Sequence, residues 1–172
     1  MQRMFVLTAA MLAALSFVAP AQAAQITYHA TLSGTRDPTN TGSAATGAGT
    51  VVVDTDAQTI DATIEIHGIT FAELSQHLAH SRMGPIHLHQ YHANGDVDLI
   101  VPFPFGDSYA ETADGFTVTV HNYRYADGQT ALGANILFES FLASLADGKI
   151  LLNIHTQRFG DGEISGYLVP ST

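Results

Sequence analysis

The chain contains no cysteine. Disulfides, thiolate metal ligands and thiol nucleophiles are therefore excluded, and the stability of a small exported domain must come from its core, helped where present by a bound ion. Positive charge is also scarce, with 6 Lys and Arg residues against 16 Asp and Glu and a formal net charge of −10. Such a surface repels nucleic acid and anionic lipid and favours cations at long range. Beyond the first two dozen residues no stretch approaches the roughly 18 to 20 continuous apolar residues of a membrane span. No glycine-rich phosphate loop joins a strand to a helix, no nucleophile elbow surrounds Ser165, and there are no internal repeats.

The N-terminus reads as a secretory signal: Arg3 carries the charge, Met4 to Val18 is almost wholly apolar, and Ala21-Gln22-Ala23 is a small-residue cleavage site. Cleavage after Ala23 would leave residues 24–172 as one domain, periplasmic or secreted. The signal holds one of the six basic residues and none of the sixteen acidic ones, so the mature charge becomes −11.

Period-two alternation marks most of the mature chain as strand. Ile26, Tyr28, Ala30 and Leu32 share one side of Gln25–Ser33. Thr46–Val53 is a second strand and the Ile60, Ala62, Ile64, Ile66 series a third. Phe71–His80 has the spacing of a short helix, and Val97–Val101 runs into Pro102 and Pro104, which suits an edge or a loop. A strand at Phe116–His121 precedes a helix over Ile136–Leu145, stopped by Asp147-Gly148. Lys149–Thr156 and Glu163–Val169 close the chain as strands. About seven short strands with one or two small helices predict an all-β antiparallel sandwich of Greek-key type or a flattened barrel.

The chemistry concentrates in histidine. His87-Leu88-His89 places two imidazoles on one face of a strand, about 7 Å apart at the backbone, where both can reach one ion. Ile86 and Leu88 would face the core. Asn153-Ile154-His155-Thr156 repeats the arrangement some 65 residues later, with Leu151, Asn153 and His155 on a face opposite Ile150, Leu152 and Ile154. His92 would be the fourth ligand if the strand bends after His89; a water there would instead leave an open catalytic position. A nitrogen-rich site favours copper(II), with zinc, iron and nickel as alternatives. Glu163 and Asn153 are candidate acceptors for the ring N–H groups. His29 and His67 read as solvated residues, His121 lies on a polar strand face that could abut the site, and His77 with His80 reads as a surface pair. The acidic pairs Asp54/Asp56 and Asp96/Asp98 flank turns and match no calcium loop.

Several fragments form a larger pattern: Leu32-Ser33-Gly34, Thr46-Gly47 leading into a valine strand, His87-Leu88-His89 with Asn94-Gly95 beyond it, and Asn153-Ile154-His155-Thr156 followed by Gly162-Glu163-Ile164-Ser165-Gly166. Together they resemble the CHRD (chordin-type) domain family across nearly all of the mature chain. Two departures stand out: Gln90-Tyr91-His92 replaces the usual glycine after the His-x-His pair, and Ser165 replaces an arginine. A more distant likeness runs to copper/zinc superoxide dismutases, immunoglobulin-like Greek-key sandwiches. There His87 and His89 would correspond to the strand pair on copper and His155 to the late ligand. No equivalent of the bridging histidine or zinc loop is found. That likeness implies a copper-only or otherwise simplified relative acting on superoxide. Because the negative surface opposes an anion, a local cation would have to guide it, and Arg158, three residues past His155, is the candidate. The alternative is a non-catalytic module that holds metal or serves the cell envelope in ligand binding or adhesion.

Overall fold

Alternation becomes burial directly in the first three strands. β1 (Gln25–Ser33), β2 (Thr46–Asp54) and β3 (Thr59–His67) form an antiparallel meander that buries Tyr28, Ala30, Leu32, Val51, Val53, Ile60, Ile64 and Ile66 on one face. The chain then leaves to build β4 (Ile86–Tyr91) and β5 (Val97–Phe103) at the far side of the sheet. It returns with β6 (Tyr109–Glu111) and β7 (Gly115–Arg124) beside β3, and crosses once more to β8 (Ile150–Ile154), β9 (Ile164–Tyr167) and β10 (Val169–Pro170). This computed structural model describes residues 24–171; the signal segment read at residues 1–23 lies outside them.

All ten strands belong to one sheet, in the order β5-β4-β8-β9-β1-β2-β3-β7-β6, with β10 paired to β1. Three strand steps separate β8 from β2, about 14 Å on a flat sheet. Yet a Cβ on Gly49 of β2 would stand 2.5 Å from Cδ2 of Leu152 on β8. The sheet is therefore curled face to face, and Gly49 is glycine because Leu152 fills its place. The two ends also approach each other: the Tyr109 hydroxyl donates to the Phe103 carbonyl at 2.6 Å, joining the edges at β5 and β6. The all-β sandwich-like architecture is thus achieved by one sheet rather than two separate ones.

The helices depart from the apolar spacing for identifiable reasons. Phe71–His80 divides into a 3₁₀ turn at Phe71–Glu73 and a single α turn, α1 (Gln76–Ala79). The break comes where Leu74 forms a β-bridge with Thr156 and the Ser75 N–H donates to the His155 carbonyl at 3.1 Å. Tertiary pairing overrides helical spacing there. α2 (Tyr125–Leu132) is not foreshadowed by the sequence, because its buried residues are Tyr125, Gly128 and Gln129 rather than an apolar stripe. α3 (Phe138–Ala146) coincides with most of the predicted helix. Gln129 donates to the carbonyl of Ile100 at 2.8 Å and accepts from the Ile136 N–H. Ile100 is the extra residue of a bulge between β4 and β5, so this glutamine satisfies backbone that the ladder leaves open. Pro102 sits on β5, a terminal strand of the sheet, as its missing donor requires.

Leu88 lies fully buried between the two strand histidines. Its replacement by Ala is expected to lower unfolding free energy by about 2 to 5 kcal/mol, read as a reduced urea midpoint at unchanged slope.

Candidate metal centre

β4 is an interior strand, flanked by β5 and β8. Its register with β8 sets Ile86 opposite Ile154, His87 opposite Asn153 and Leu88 opposite Leu152. The ladder continues one step past β8, where the His155 N–H donates to the Pro85 carbonyl at 2.8 Å. His155 is consequently the diagonal neighbour of His87 on the same face. Ile86, Leu88, Leu152 and Ile154 point into the main core, as the alternation requires. Leu151, equally buried, is not part of that core cluster; it shares the histidine face. Expected to be merely non-core, this face is instead a second buried region.

Three imidazoles meet there. Ring centroids lie 4.8 Å apart for His87 and His155, 5.3 Å for His87 and His89, and 5.4 Å for His89 and His155. The Nε2 atoms of His89 and His155 are 3.2 Å apart, and one nitrogen from each ring lies within 4.8 Å of the others. Nitrogens bound to one ion at about 2.0 to 2.1 Å stand no more than about 4.2 Å from each other. Ring shifts of about half an ångström would close the set onto a common centre. The residues are 1%, 7% and 6% exposed in sequence order, so water does not hydrate them freely.

The remaining ring atoms decide what the trio can do. His155 Nδ1 contacts the Gly160 carbonyl at 2.7 Å, which fixes a proton on Nδ1 and leaves the Nε2 lone pair facing His89. Neither nitrogen of His87, nor Nδ1 of His89, has any partner at hydrogen-bonding geometry. A buried polar atom without a partner costs about 1 to 3 kcal/mol, and natural structures rarely retain several together. Burial pushes the His87 ring down to about 2, with the neighbouring His155 and His89 adding repulsion, although the Met83 and Gly84 backbone favours its charged form. Burial and then His155 push His89 down to about 3. Burial lowers His155 as well, against the opposing pull of the Gly160 carbonyl and Asp161. All three are neutral donors at physiological pH, the form a metal requires.

The turn after His155 braces this arrangement. Asn153 donates through Nδ2 to the Asp161 carbonyl at 2.9 Å, while Gly162, at φ +116°, packs its Cα directly against the Asn153 amide. Only glycine fits there. Glu163 does not accept from a histidine; it receives the Ser43 and Thr156 hydroxyls at 2.6 and 2.7 Å and so ties the loop before β2 to the segment after His155. Thr39 meets Ser165 at 2.8 Å in the same seam. The acceptor for the His155 ring is thus a backbone carbonyl, which no side-chain pattern announces.

A cleft of about 440 Å³ opens onto His89 and His155, with Pro38 and Thr39 on one wall, Tyr91 and Val97 on the other and Asp161 at the rim. Burial raises the Tyr91 hydroxyl, and Asp161 and Tyr167 push it further. His92 does not join the cluster. It pairs with Asp98 at 2.8 Å on a half-exposed surface, because the chain turns at Asn94-Gly95 rather than folding back over the site. Arg158 is also placed elsewhere, over the Phe159 ring in a neighbouring cleft shared with Glu73 and Glu163. His67 pairs with Asp114 and His80 with the Gln76 carbonyl; His29 contacts Thr50. Asp54 caps its own turn, and Asp96 binds Asn94.

A family model for the CHRD domain matches residues 28–168. The chain belongs to the CHRD domain family. No curated protein and no solved structure matches it. Within this CHRD domain the matched region contains every strand that builds the trio.

The depressed histidines give the metal-free CHRD domain a defined acid response. Unfolded imidazoles titrate near 6.5, whereas His87 and His89 in the fold titrate near 2 and 3. The unfolded chain therefore binds extra protons between these limits, so this contribution is absent above about pH 7 and destabilises progressively as pH falls toward 3. Urea midpoints should fall across that window, while the ring signals of His87 and His89 stay at their neutral positions down to about pH 4.5 by NMR. Ring signals that titrate near 6.5 in the folded protein would contradict the buried arrangement.

Proposed function

We propose that this CHRD domain is an exported metal-binding protein that holds one transition-metal ion through His87, His89 and His155, with copper the first choice. The observation that carries the reading is the set of buried, neutral imidazoles with unpartnered ring nitrogens, gathered within 4.8 Å of one another. An ion would satisfy in one step what the protein's own groups leave unsatisfied. The donor set is nitrogen only, without thiolate or carboxylate, which suits copper, zinc, nickel or iron, and affinity at such sites peaks at copper(II). Gly160 holds the His155 tautomer, and the β4–β8 ladder holds the other two rings on rigid strand backbone, which limits the reorganisation needed on binding.

A second reading adds catalysis, and the cleft reaching His89 and His155 is what favours it. Three protein ligands with an accessible fourth position is the pattern of a reactive rather than a sealed site. Copper bound there would supply alternate oxidation and reduction of superoxide. The protein's own contribution would be limited to orienting the ligands and excluding bulk water. Against it stand Asp161 at the rim and the placement of Arg158, which lines a different cleft.

Metal content and superoxide decay separate the readings. The mature chain, loaded separately with copper, zinc, iron and nickel and then desalted, should retain close to one equivalent of copper. His89→Ala should bind at least tenfold more weakly, and His92→Ala should bind as wild type does. Metal retained without accelerated superoxide decay assigns a holding role, and no metal retained refutes the proposal.

A further inference from the structure

The cleft is far larger than a diatomic molecule needs. A water's share of liquid is about 30 Å³, whereas this space of about 440 Å³ falls in the range of roughly 300 to 1,000 Å³ typical of small organic ligands. Its walls are mixed in a way that suits such a molecule. Tyr91 lies 6.1 Å from the His89 ring, centroid to centroid, and with Val97 and Pro38 offers an apolar surface. Val97 is 45% exposed, a large aliphatic side chain left open at the mouth. The floor carries His89, more than nine-tenths buried, with Nδ1 unpartnered.

Charge in the cleft is of one sign. Asp161 is exposed at the rim, and among the described residues no lysine, arginine or histidine forms an ion pair with it. Two other clefts take basic residues: Arg36 lines one with Tyr167 and Val169, and Arg158 lines another with Glu73. Among the described residues no lysine or arginine lines the cleft over the trio. An anion entering there would meet an uncompensated carboxylate, whereas a cation would gain a partner.

We infer that this cleft binds a small organic cation. Its apolar body lies between Tyr91, Val97 and Pro38, its protonated amine meets Asp161, and a nitrogen donor on the same molecule reaches the position above His89 and His155. The last element rests on the metal reading; the first two do not. Thr39 adds a hydroxyl at the wall, and its bond to Ser165 keeps that wall in place. The contact to Asn153 is made by the Asp161 backbone carbonyl, which leaves the carboxylate outside that bond.

Two probes of nearly equal size separate charge from donor chemistry. Histamine carries an imidazole and an ammonium group; imidazole-4-acetate carries the same ring and a carboxylate. Affinities are measured at neutral pH by titration calorimetry on the zinc-loaded chain and by NMR shift titration on the metal-free chain, for wild type and Asp161→Asn, with metal content determined alongside. Histamine should bind at least tenfold more tightly than imidazole-4-acetate, and Asp161→Asn should bring the ratio close to one. Val97→Ser should weaken both probes and leave their ratio unchanged. Equal affinities in wild type, or a ratio that survives Asp161→Asn, would overturn the inference. A chain that retains none of copper, zinc, iron and nickel refutes the metal reading alone, and the ratio on the metal-free chain then decides the cleft.

Discussion

The antiparallel register between β4 and β8 is the constraint on which everything else rests. With His87 opposite Asn153, the alternating side chains of both strands divide cleanly: Ile86, Leu88, Leu152 and Ile154 into the main core, and the three imidazoles with Leu151 onto the other face. A one-residue slip would exchange the two sets and drive histidine into the hydrocarbon core. The inner face therefore specifies the register, and the register assembles the site. Curling of the sheet secures it from the other side, since Leu152 is seated in the space that Gly49 leaves open.

Such assembly has a cost. Three imidazoles are withdrawn from water; the ring nitrogens of His87 and Nδ1 of His89 have no partner at hydrogen-bonding geometry, although the Met83 and Gly84 backbone stands close to His87. The core beneath them is continuous and fully buried, so the fold can carry this local loss without a disulfide. Stabilisation from the apolar face and strain of desolvation on the polar face are carried by the same two strands. That coupling is what supports the proposed ligand site over a closed hydrogen-bond network, which would have satisfied its own groups.

Much of this is legible in the chain itself. Period-two alternation locates β1, β2, β3, β7 and β8 within a few residues, and Leu88 flanked by histidines implies one buried and one polar face. What alternation cannot reveal is that the polar face is also covered, because the cover comes from turns: Gly160–Gly162 after β8 and Pro38-Thr39 before β2. The division of Phe71–His80 is equally hidden, since Leu74 takes its conformation from Thr156, 82 positions away. α2 leaves no trace in the pattern because it is held by the amide of Gln129 rather than by an apolar stripe. Nearness in sequence nominates His92 as a ligand, but Asp98 on the next strand is its partner. The CHRD motifs are legible for a physical reason: Gly162 and Asn153 are locked together, and neither tolerates replacement without moving the turn that orients His155.

Electrostatics then separates what the site can hold from what can reach it. The Debye length at physiological ionic strength is about 8 Å, so the parts of the chain's negative charge that lie farther than this act weakly at the histidines, and Arg158 lines a different cleft. Asp161, on the rim itself, acts at contact range. A cation arriving at the cleft is favoured by both the distant and the local field; an anion is opposed by both. The rings of the trio are neutral, so under the proposed function no charge on them would repel a metal ion as it enters. Once that ion is seated, its charge would oppose the local field of Asp161 within the cleft. Anion access would therefore depend on the loaded centre itself, and the balance between the ion and that single carboxylate separates a protein that stores metal from one that turns over an oxygen anion.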